Sequence, residues 1–259
     1  MDMQPLVSIV TPSFNQGKFL EETILSVLKQ DYQNIEYLIV DGGSNDNTLE
    51  VIQKYQSRLA WWVSEPDTGQ TDAINKGFNR ATGSIIAWLN SDDVYSPGAV
   101  RQAVQYLVDH PQIGMVYGEL DFIDESGRVI GKFNAAQTDL PRLRRGYVHI
   151  PQPSAFFRAD LWKKVGPLDS SFFFAMDYDL WTRLAAVSEL KYLPGKTWAQ
   201  FRLHTDGKTV ASDDRCWPEM LRVHYRDGGK PWAPIVLKYW LRKIAAPFLN
   251  WNRRRMFRS

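Results

Sequence analysis

Within its first ninety residues the chain alternates repeatedly between two hydrophobic periods, and that alternation restricts its fold more than any other feature. Val7-Ser-Ile-Val10 is a short apolar run ending at Thr11-Pro12, and reads as a buried strand stopped by the proline. Phe19 to Gln30 then sets Leu20, Ile24, Val27 and Leu28 on one helical stripe. Ile35 to Val40 reads as a second strand, closed by the turn Asp41-Gly-Gly-Ser44, and Asn45 to Tyr55 as a helix with Leu49 and Ile52 inward. A third strand (Ala60 to Ser64), a third helix (Asp72 to Arg80) and a fourth strand (Ser84 to Leu89) follow. Such alternation implies right-handed crossovers, hence an α/β fold with a Rossmann-like, mostly parallel sheet flanked by helices.

Open sheets of this kind bind ligands outside the carboxyl ends of their strands. Three polar clusters fall at those ends: Thr11-Pro-Ser-Phe-Asn15, Asp41-Gly-Gly-Ser44 and Asn90-Ser-Asp-Asp93. The coincidence is the first sign of a site.

Past Pro97 a helix over Ala99 to Val108 leads to the strand Ile113-Gly-Met-Val-Tyr117 and a hairpin turning at Ser126-Gly127. The alternation continues to about residue 203, with Asp177 to Ala186 the clearest helix, and no repeat or linker interrupts it. We therefore expect one domain over residues 1–210. A basic, aromatic C-terminal tail occupies 211–259. At 259 residues the chain can bury a sizeable core without staples. Cys216 is its only cysteine, which excludes an intrachain disulfide and suits a reducing, cytoplasmic compartment. No apolar run reaches the roughly 18 residues that a spanning helix needs.

Motif chemistry narrows the function. Gly-x-Gly-x-x-Gly is absent, which argues against a dinucleotide enzyme. Gly195-Lys-Thr197 and Gly207-Lys-Thr209 resemble P-loop endings, but the earlier glycine is replaced by Leu190 and Arg202. Asp92 and Asp93 are adjacent carboxylates at a strand end; they suit either a solvated turn or a hard divalent cation with substrate phosphates. Asp177 opens a helix, as a capping residue or as a general base for an attacking hydroxyl. Asp179 lies about 200° further round that helix and should not share its substrate. His204, beside Arg202 and Lys208, reads as a structural hydrogen-bonder or as a member of a diphosphate pocket.

The spaced set Val7-Ser-Ile-Val-Thr-Pro-Ser-Phe-Asn15, Ile39-Val-Asp-Gly-Gly-Ser-Asn-Asp-Asn-Thr48, Asn75-Lys-Gly77, Ala81-Thr-Gly83, Leu89-Asn-Ser-Asp-Asp93 and Met176-Asp-Tyr-Asp-Leu-Trp-Thr-Arg183 resembles the inverting glycosyltransferases of family 2. It covers about residues 5 to 205 and implies the GT-A fold, with a nucleotide-binding half to about residue 95 and an acceptor half over 96–210. By that resemblance Thr11, Pro12 and Phe14 line a base pocket, and Asp41 accepts a hydrogen bond from a pyrimidine. Asp92 with Asp93 holds Mn²⁺ or Mg²⁺ on the diphosphate, His204 completes that site, and Asp177 is the catalytic base. Three residues depart from the pattern: Asn90 replaces an aspartate near the ribose, Met176 a glutamate before the base, and Ile74 a frequent arginine. Gln70 and Asp72 are then expected to supply polar contacts to the donor. Gln152 and Trp181 are candidates for the acceptor side, Trp181 also for the core.

The implied partners are a nucleoside-diphosphate sugar, with uridine the default base, and an acceptor glycan or lipid-linked oligosaccharide. Two other readings share parts of the pattern: a non-catalytic sugar-nucleotide or glycan-binding relative, and a nucleotidyltransferase. The formal net charge of +2 hides an uneven split. From Trp217 to Ser259, ten Lys and Arg face Glu219 and Asp227, giving +8 and leaving −6 on the rest. Pro231 to Ala246 sets Trp232, Ile235, Val236, Tyr239, Trp240 and Ile244 on a broad apolar arc with Lys238 and Arg242 opposite, followed by Pro247, Phe248, Trp251 and Arg253-Arg-Arg255. Such an amphipathic helix suits an anionic membrane surface on the inner face of the cell membrane, or packing back on the domain. A nucleic-acid partner is not expected, since no recognised nucleic-acid module accompanies the basic charge.

Overall fold

The computed structural model describes residues 4–205, 207 and 213–244. Four strands and three helices alternate first: β1 (Val7–Ser13), α1 (Gly17–Leu28), β2 (Ile35–Asp41), α2 (Thr48–Tyr55), β3 (Trp61–Ser64), α3 (Gln70–Arg80) and β4 (Ile85–Trp88). Then come β5 (Val94–Tyr95), α4 (Ala99–Asp109), β6 (Ile113–Ile123), β7 (Val129–Lys132), α5 (Leu140–Leu143), β8 (Ala155–Arg158) and α6 (Ala159–Val165). The chain continues through α7 (Met176–Ala185), β9 (Glu189–Arg202) and α8 (Asp213–Arg226). Residues 234–244 are also helical.

Among the described residues all nine strands join one sheet in the order β3-β2-β1-β4-β8-β6-β9-β5, with β7 on β6. Strands β1 to β4 pair in parallel, and so do β6 and β9; β8, β5 and β7 run the other way. The expected mostly parallel α/β sheet is therefore present. Its strands are apolar on both faces, as a sheet covered on both sides requires. Val10, Leu38, Val40, Ile86 and Trp88 face one core with residues of α3, α6 and α7. Ile9, Tyr37, Ile39, Ala87 and Leu89 face the other with residues of α1 and α4. Helix α3 lies close because Gly77 has no side chain; a Cβ there would come within 2.4 Å of Val10.

One expectation fails instructively. Pro12 does not stop β1, which runs on to Ser13 in register with Asp41 of β2. The Val10 carbonyl accepts from Leu89 of the β4 side, and the Ser13 carbonyl accepts from Gly42 of the β2 side. By alternation Pro12 points to the β4 side, where pairing has ended at Val10–Trp88. The missing N–H costs nothing there. The strand begun at Ile113 is also longer than its apolar run, since β9 pairs along it as far as Ile123.

Residues 213–226, read from sequence as tail, pack on the domain: Val223 is fully buried in the core shared with α7. Lys208 and the tail beyond residue 244, including Pro247, Phe248, Trp251 and Arg253 to Arg255, lie outside the described residues.

Candidate active site

Because β2, β1 and β4 are neighbours, their three polar ends form one continuous rim. The Asp41 end is closed. Asp41 Oδ2 accepts from the Gly43 and Ser44 N–H groups (3.1 and 2.9 Å) and from the Ser64 hydroxyl (2.6 Å). Its Oδ1 accepts from the Ser44 hydroxyl (2.5 Å), and no part of the residue reaches solvent. The carboxylate expected to meet a base is thus committed to folding its own turn. Asn15, at φ 52°, ties the β1 end to this turn: its N–H donates to the Ser44 hydroxyl, and its side-chain oxygen accepts from the Asn45 N–H (both 2.8 Å).

A carboxylate that sequence reasoning passed over sits beside Asp41. Gly42 leaves room that Asp67 enters; a Cβ on Gly42 would lie 2.8 Å from Asp67 Oδ2. Asp67 Oδ1 accepts from the Gly69 N–H (2.8 Å), and the residue is half-buried. The only trace in the sequence is the pair Gly42-Gly43 after a strand, which signals close approach without naming the visitor. Of the residues expected to line a base pocket, Phe14 is 57% exposed at the rim. Thr11 and Pro12 are buried, and the Thr11 hydroxyl is used on the Tyr37 hydroxyl (3.0 Å) inside the sheet.

The β4 end is organised differently. The Asn90 amide donates to Asp93 Oδ2 (3.1 Å) and to Gln152 Oε1 (3.2 Å), and its oxygen accepts from Gln70 (2.7 Å). Asp93 is fully buried, with Oδ1 accepting from the Arg202 N–H (3.1 Å). Burial, and then the neighbouring Asp92 charge, hold its carboxyl well above the usual range. Asp92 points the other way and meets His204: Oδ2 and Nε2 are 3.0 Å apart. His204 is nearly buried, lies against Phe19 (ring centroids 4.8 Å), and its Nδ1 has no hydrogen-bond partner among the described residues. Of the three residues expected to hold a metal, Asp92 and His204 face each other and Asp93 is turned inward. Among the described residues no group of three or more His, Cys, Asp or Glu is disposed to hold a metal. One carboxylate and one imidazole, one of whose nitrogens is orphaned, still fit two positions of a Mn²⁺ or Mg²⁺ site completed by substrate oxygens.

Arg202 does not serve a diphosphate. It is 2% exposed, and its guanidinium donates to the Asp92, Asp124 and Glu125 carbonyls and to Glu22 (2.5 Å). A buried arginine so satisfied is a bolt that fixes the end of β9 onto the Asp92–Asp93 loop.

Helix α3 connects this loop to α7. Gln70 at its start holds Asn90, and Thr71 beside it donates to the Met176 sulfur (2.8 Å). Met176, where the resemblance expects a glutamate, is thereby an apolar contact, 6% exposed. Asp177 follows at the half-buried start of α7, accepting from the Tyr178 N–H (2.7 Å). Asp72 is not part of this network; it accepts from the Thr68 N–H (3.2 Å) in the loop before α3. Gln152 joins through Asn90 and the Trp88 carbonyl (2.8 Å). Trp181 is core, fully buried and stacked on Trp88 with centroids 5.4 Å apart.

Helix α8 braces α7 from outside. The Glu219 carboxylate accepts from the Phe173, Phe174 and Ala175 N–H groups (3.0, 2.7 and 2.9 Å), the turn that delivers Asp177. Arg226 and Arg183 pair with Asp179, which is wholly buried. Arg222 donates to the Ser171 carbonyl (2.8 Å) and lies 3.7 Å from the Phe172 ring centroid. Cys216 of the same helix is pushed up to about 11 by burial and then by the charges of Asp177 and Glu219. No sequence periodicity links residues this far apart, so Glu219 and Arg226 could not be identified beforehand.

Comparison with known proteins agrees with this geometry. The family described as Glycosyl transferase family 2 matches residues 8–180. An uncharacterized glycosyltransferase of Mycobacterium tuberculosis is 34% identical over 192 residues, 73% of this chain and 72% of the relative. One from Rickettsia typhi is 28% identical over 214 residues, 80% of this chain and 66% of its own length. Among solved structures, a Staphylococcus aureus TarS fragment in complex with UDP-GlcNAc superposes with a TM-score of 0.70 at 18% identity. That match covers 86% of this chain and 66% of the fragment. The mannosyltransferase PcManGT from Pyrobaculum calidifontis, in complex with GDP-Man and Mn²⁺, gives 0.65 at 21% identity over 91% of this chain and 69% of its own. The fold is of the GT-A type.

Proposed function

The chain belongs to glycosyl transferase family 2, and on that premise we propose an inverting transfer of sugar from a nucleoside-diphosphate sugar, with UDP as the nucleotide. The acceptor is a hydroxyl of a glycan or lipid-linked oligosaccharide. The observation that carries the reading is the pair of hydrogen bonds Gln70–Asn90 and Thr71–Met176 at the start of α3, which ties the loop bearing Asp92, itself against His204, to the residue preceding Asp177.

In this reading Phe14 offers its exposed ring to the base, and Asp67 accepts from a base N–H in the place that Asp41 leaves unavailable. Asn90 and Gln70 present amides to the ribose. Asp92 and His204 would hold a divalent cation, which supplies Lewis-acid neutralisation of the leaving diphosphate when bound. Asp177 accepts the proton of the acceptor hydroxyl. The freed oxygen pair forms a bond to the anomeric carbon as the carbon–oxygen bond to the diphosphate breaks on the opposite face. The leaving group departs with that electron pair, and the configuration inverts.

Asp177→Asn tests the assignment. It keeps the shape and removes the base, so turnover should fall by about a thousand-fold while nucleotide binding is retained. A variant that still turns over within ten-fold of the parent would overturn it.

A further inference from the structure

The 234–244 helix carries two apolar faces, not the single arc that its sequence suggests. The first is inward. Ile235, Val236 and the preceding Ala233 are nearly buried against Trp217, Met220 and Leu221 of α8, and Ile235 also covers Gly146. The second points away: Leu237, Trp240, Leu241 and Ile244 are 60, 52, 58 and 74% exposed. These four recur at i, i+3, i+4 and i+7, a stripe about 100° wide at 3.6 residues per turn. Trp232, just before the helix, is 77% exposed. Because the inner face is held, the helix cannot roll to hide the outer one without breaking its contacts with α8.

Charge identifies the occupant. From Gly228 to Ser259 the chain has eight Lys and Arg and no Asp or Glu. On the helix Lys238 and Lys243 are exposed at the two flanks of the stripe, while Arg242 turns back over the Trp217 ring, 5.7 Å from its centroid. The loop it packs on adds exposed Arg144 and Arg145, and Lys238 lies 6.0 Å from the Tyr147 ring centroid. An apolar stripe with tryptophans, bordered by cations, matches a lipid surface with anionic headgroups. A second copy would set these cations against each other. No helix among the described residues is long and apolar enough to cross a membrane, so the contact is a surface one.

We propose that Leu237, Trp240, Leu241 and Ile244, with Trp232, seat the protein on an anionic bilayer, where Lys238 and Lys243 meet the headgroups. Helix α8 then acts as a rigid spacer. Its Trp217, Met220 and Leu221 hold the docking helix, while its Glu219 and Arg226 hold the start of α7 and Asp179. Asp177 is thereby kept at a fixed position relative to the lipid surface, which suits an acceptor carried on a lipid. This deepens the transferase reading and rests on it only for the acceptor.

The test is co-sedimentation of the full chain with phosphatidylcholine vesicles containing about one third phosphatidylglycerol, against pure phosphatidylcholine. Binding should be confined to the anionic vesicles, weaken as salt rises, and fall at least ten-fold in Trp240→Glu/Leu241→Glu. Both residues are exposed, so that variant should keep the parent's melting temperature and its stabilisation by UDP with Mn²⁺. No binding by the parent, or equal binding by the variant, overturns the proposal. So does a concentration-dependent dimer abolished by the same pair of substitutions, which would assign the stripe to a second copy. Loss of nucleotide response in the parent would instead count against the transferase reading and leave the docking result standing.

Discussion

Asp41 and Asp92 lie at the carboxyl ends of β2 and β4, the two strands that flank β1 in parallel, yet the fold surrounds them in opposite ways. Asp41 accepts four hydrogen bonds from its own and an adjacent strand end and has no surface. Asp92 has one side-chain partner among the described residues, His204, and remains partly exposed. The difference arises from their neighbours. Ser44 and Ser64 supply hydroxyls that close over Asp41, whereas Arg202 takes backbone carbonyls around Asp92 and leaves its carboxylate alone. A carboxylate at a strand end is thus closed off or left accessible according to which donors reach it.

Substitution should separate the two roles. The largest effect is expected from Asp92→Asn: turnover should fall by about a hundred-fold or more, with the melting temperature nearly unchanged. Asp41→Ala should do the reverse. Leaving four half-buried donors without their acceptor costs about 3 kcal/mol, a drop of roughly 8 °C in melting temperature for a chain of this size, while the folded fraction retains its rate. If Asp41→Ala lowered turnover of stably folded protein as far as Asp92→Asn does, the contrast would break. Asp67→Asn should have an intermediate, purely binding effect, weakening nucleotide affinity about ten-fold through one lost charged hydrogen bond. An unchanged affinity would remove Asp67 from the base pocket.

How much of this was legible beforehand follows the range of the forces involved. The β1–β4 alternation, the helix at Asp177 and the three polar rims rest on local periodicity, and they are where the sequence reading puts them. Pro12 misled because its effect depends on which neighbour its missing N–H would face, a tertiary fact. Thr11, Asp41 and Asp93 were expected in the pocket, but hydroxyls from Tyr37 and Ser64 and the Arg202 backbone claim them from elsewhere in the chain, with Ser44 closing over Asp41 from within its own turn. Asp67, Glu219 and Arg226 escaped notice for the same reason. Their partners are assembled by the fold.

The smallest expected effect reports on the brace behind Asp177. With its thiol pushed up to about 11, Cys216 should be about a thousandth thiolate at pH 8 and alkylate slowly. The charges of Asp177 and Glu219 raise it after burial does, so Glu219→Gln should lower the thiol pKa and speed alkylation at fixed pH. Unaltered alkylation in that variant would place Glu219 farther from Cys216 than the brace requires.

The central claim is that the β4 end, with Asp92, is the open half of the rim and holds the donor diphosphate. It is tested most directly by thermal unfolding of the parent, Asp92→Ala and Asp41→Ala against UDP, GDP and dTDP, with and without Mn²⁺. At 100 times its dissociation constant a ligand stabilises by about 2.7 kcal/mol. The account predicts that shift for the parent with UDP and Mn²⁺ together, its loss in Asp92→Ala, and its persistence from a lower baseline in Asp41→Ala. An Asp92→Ala protein stabilised as strongly as the parent would contradict it.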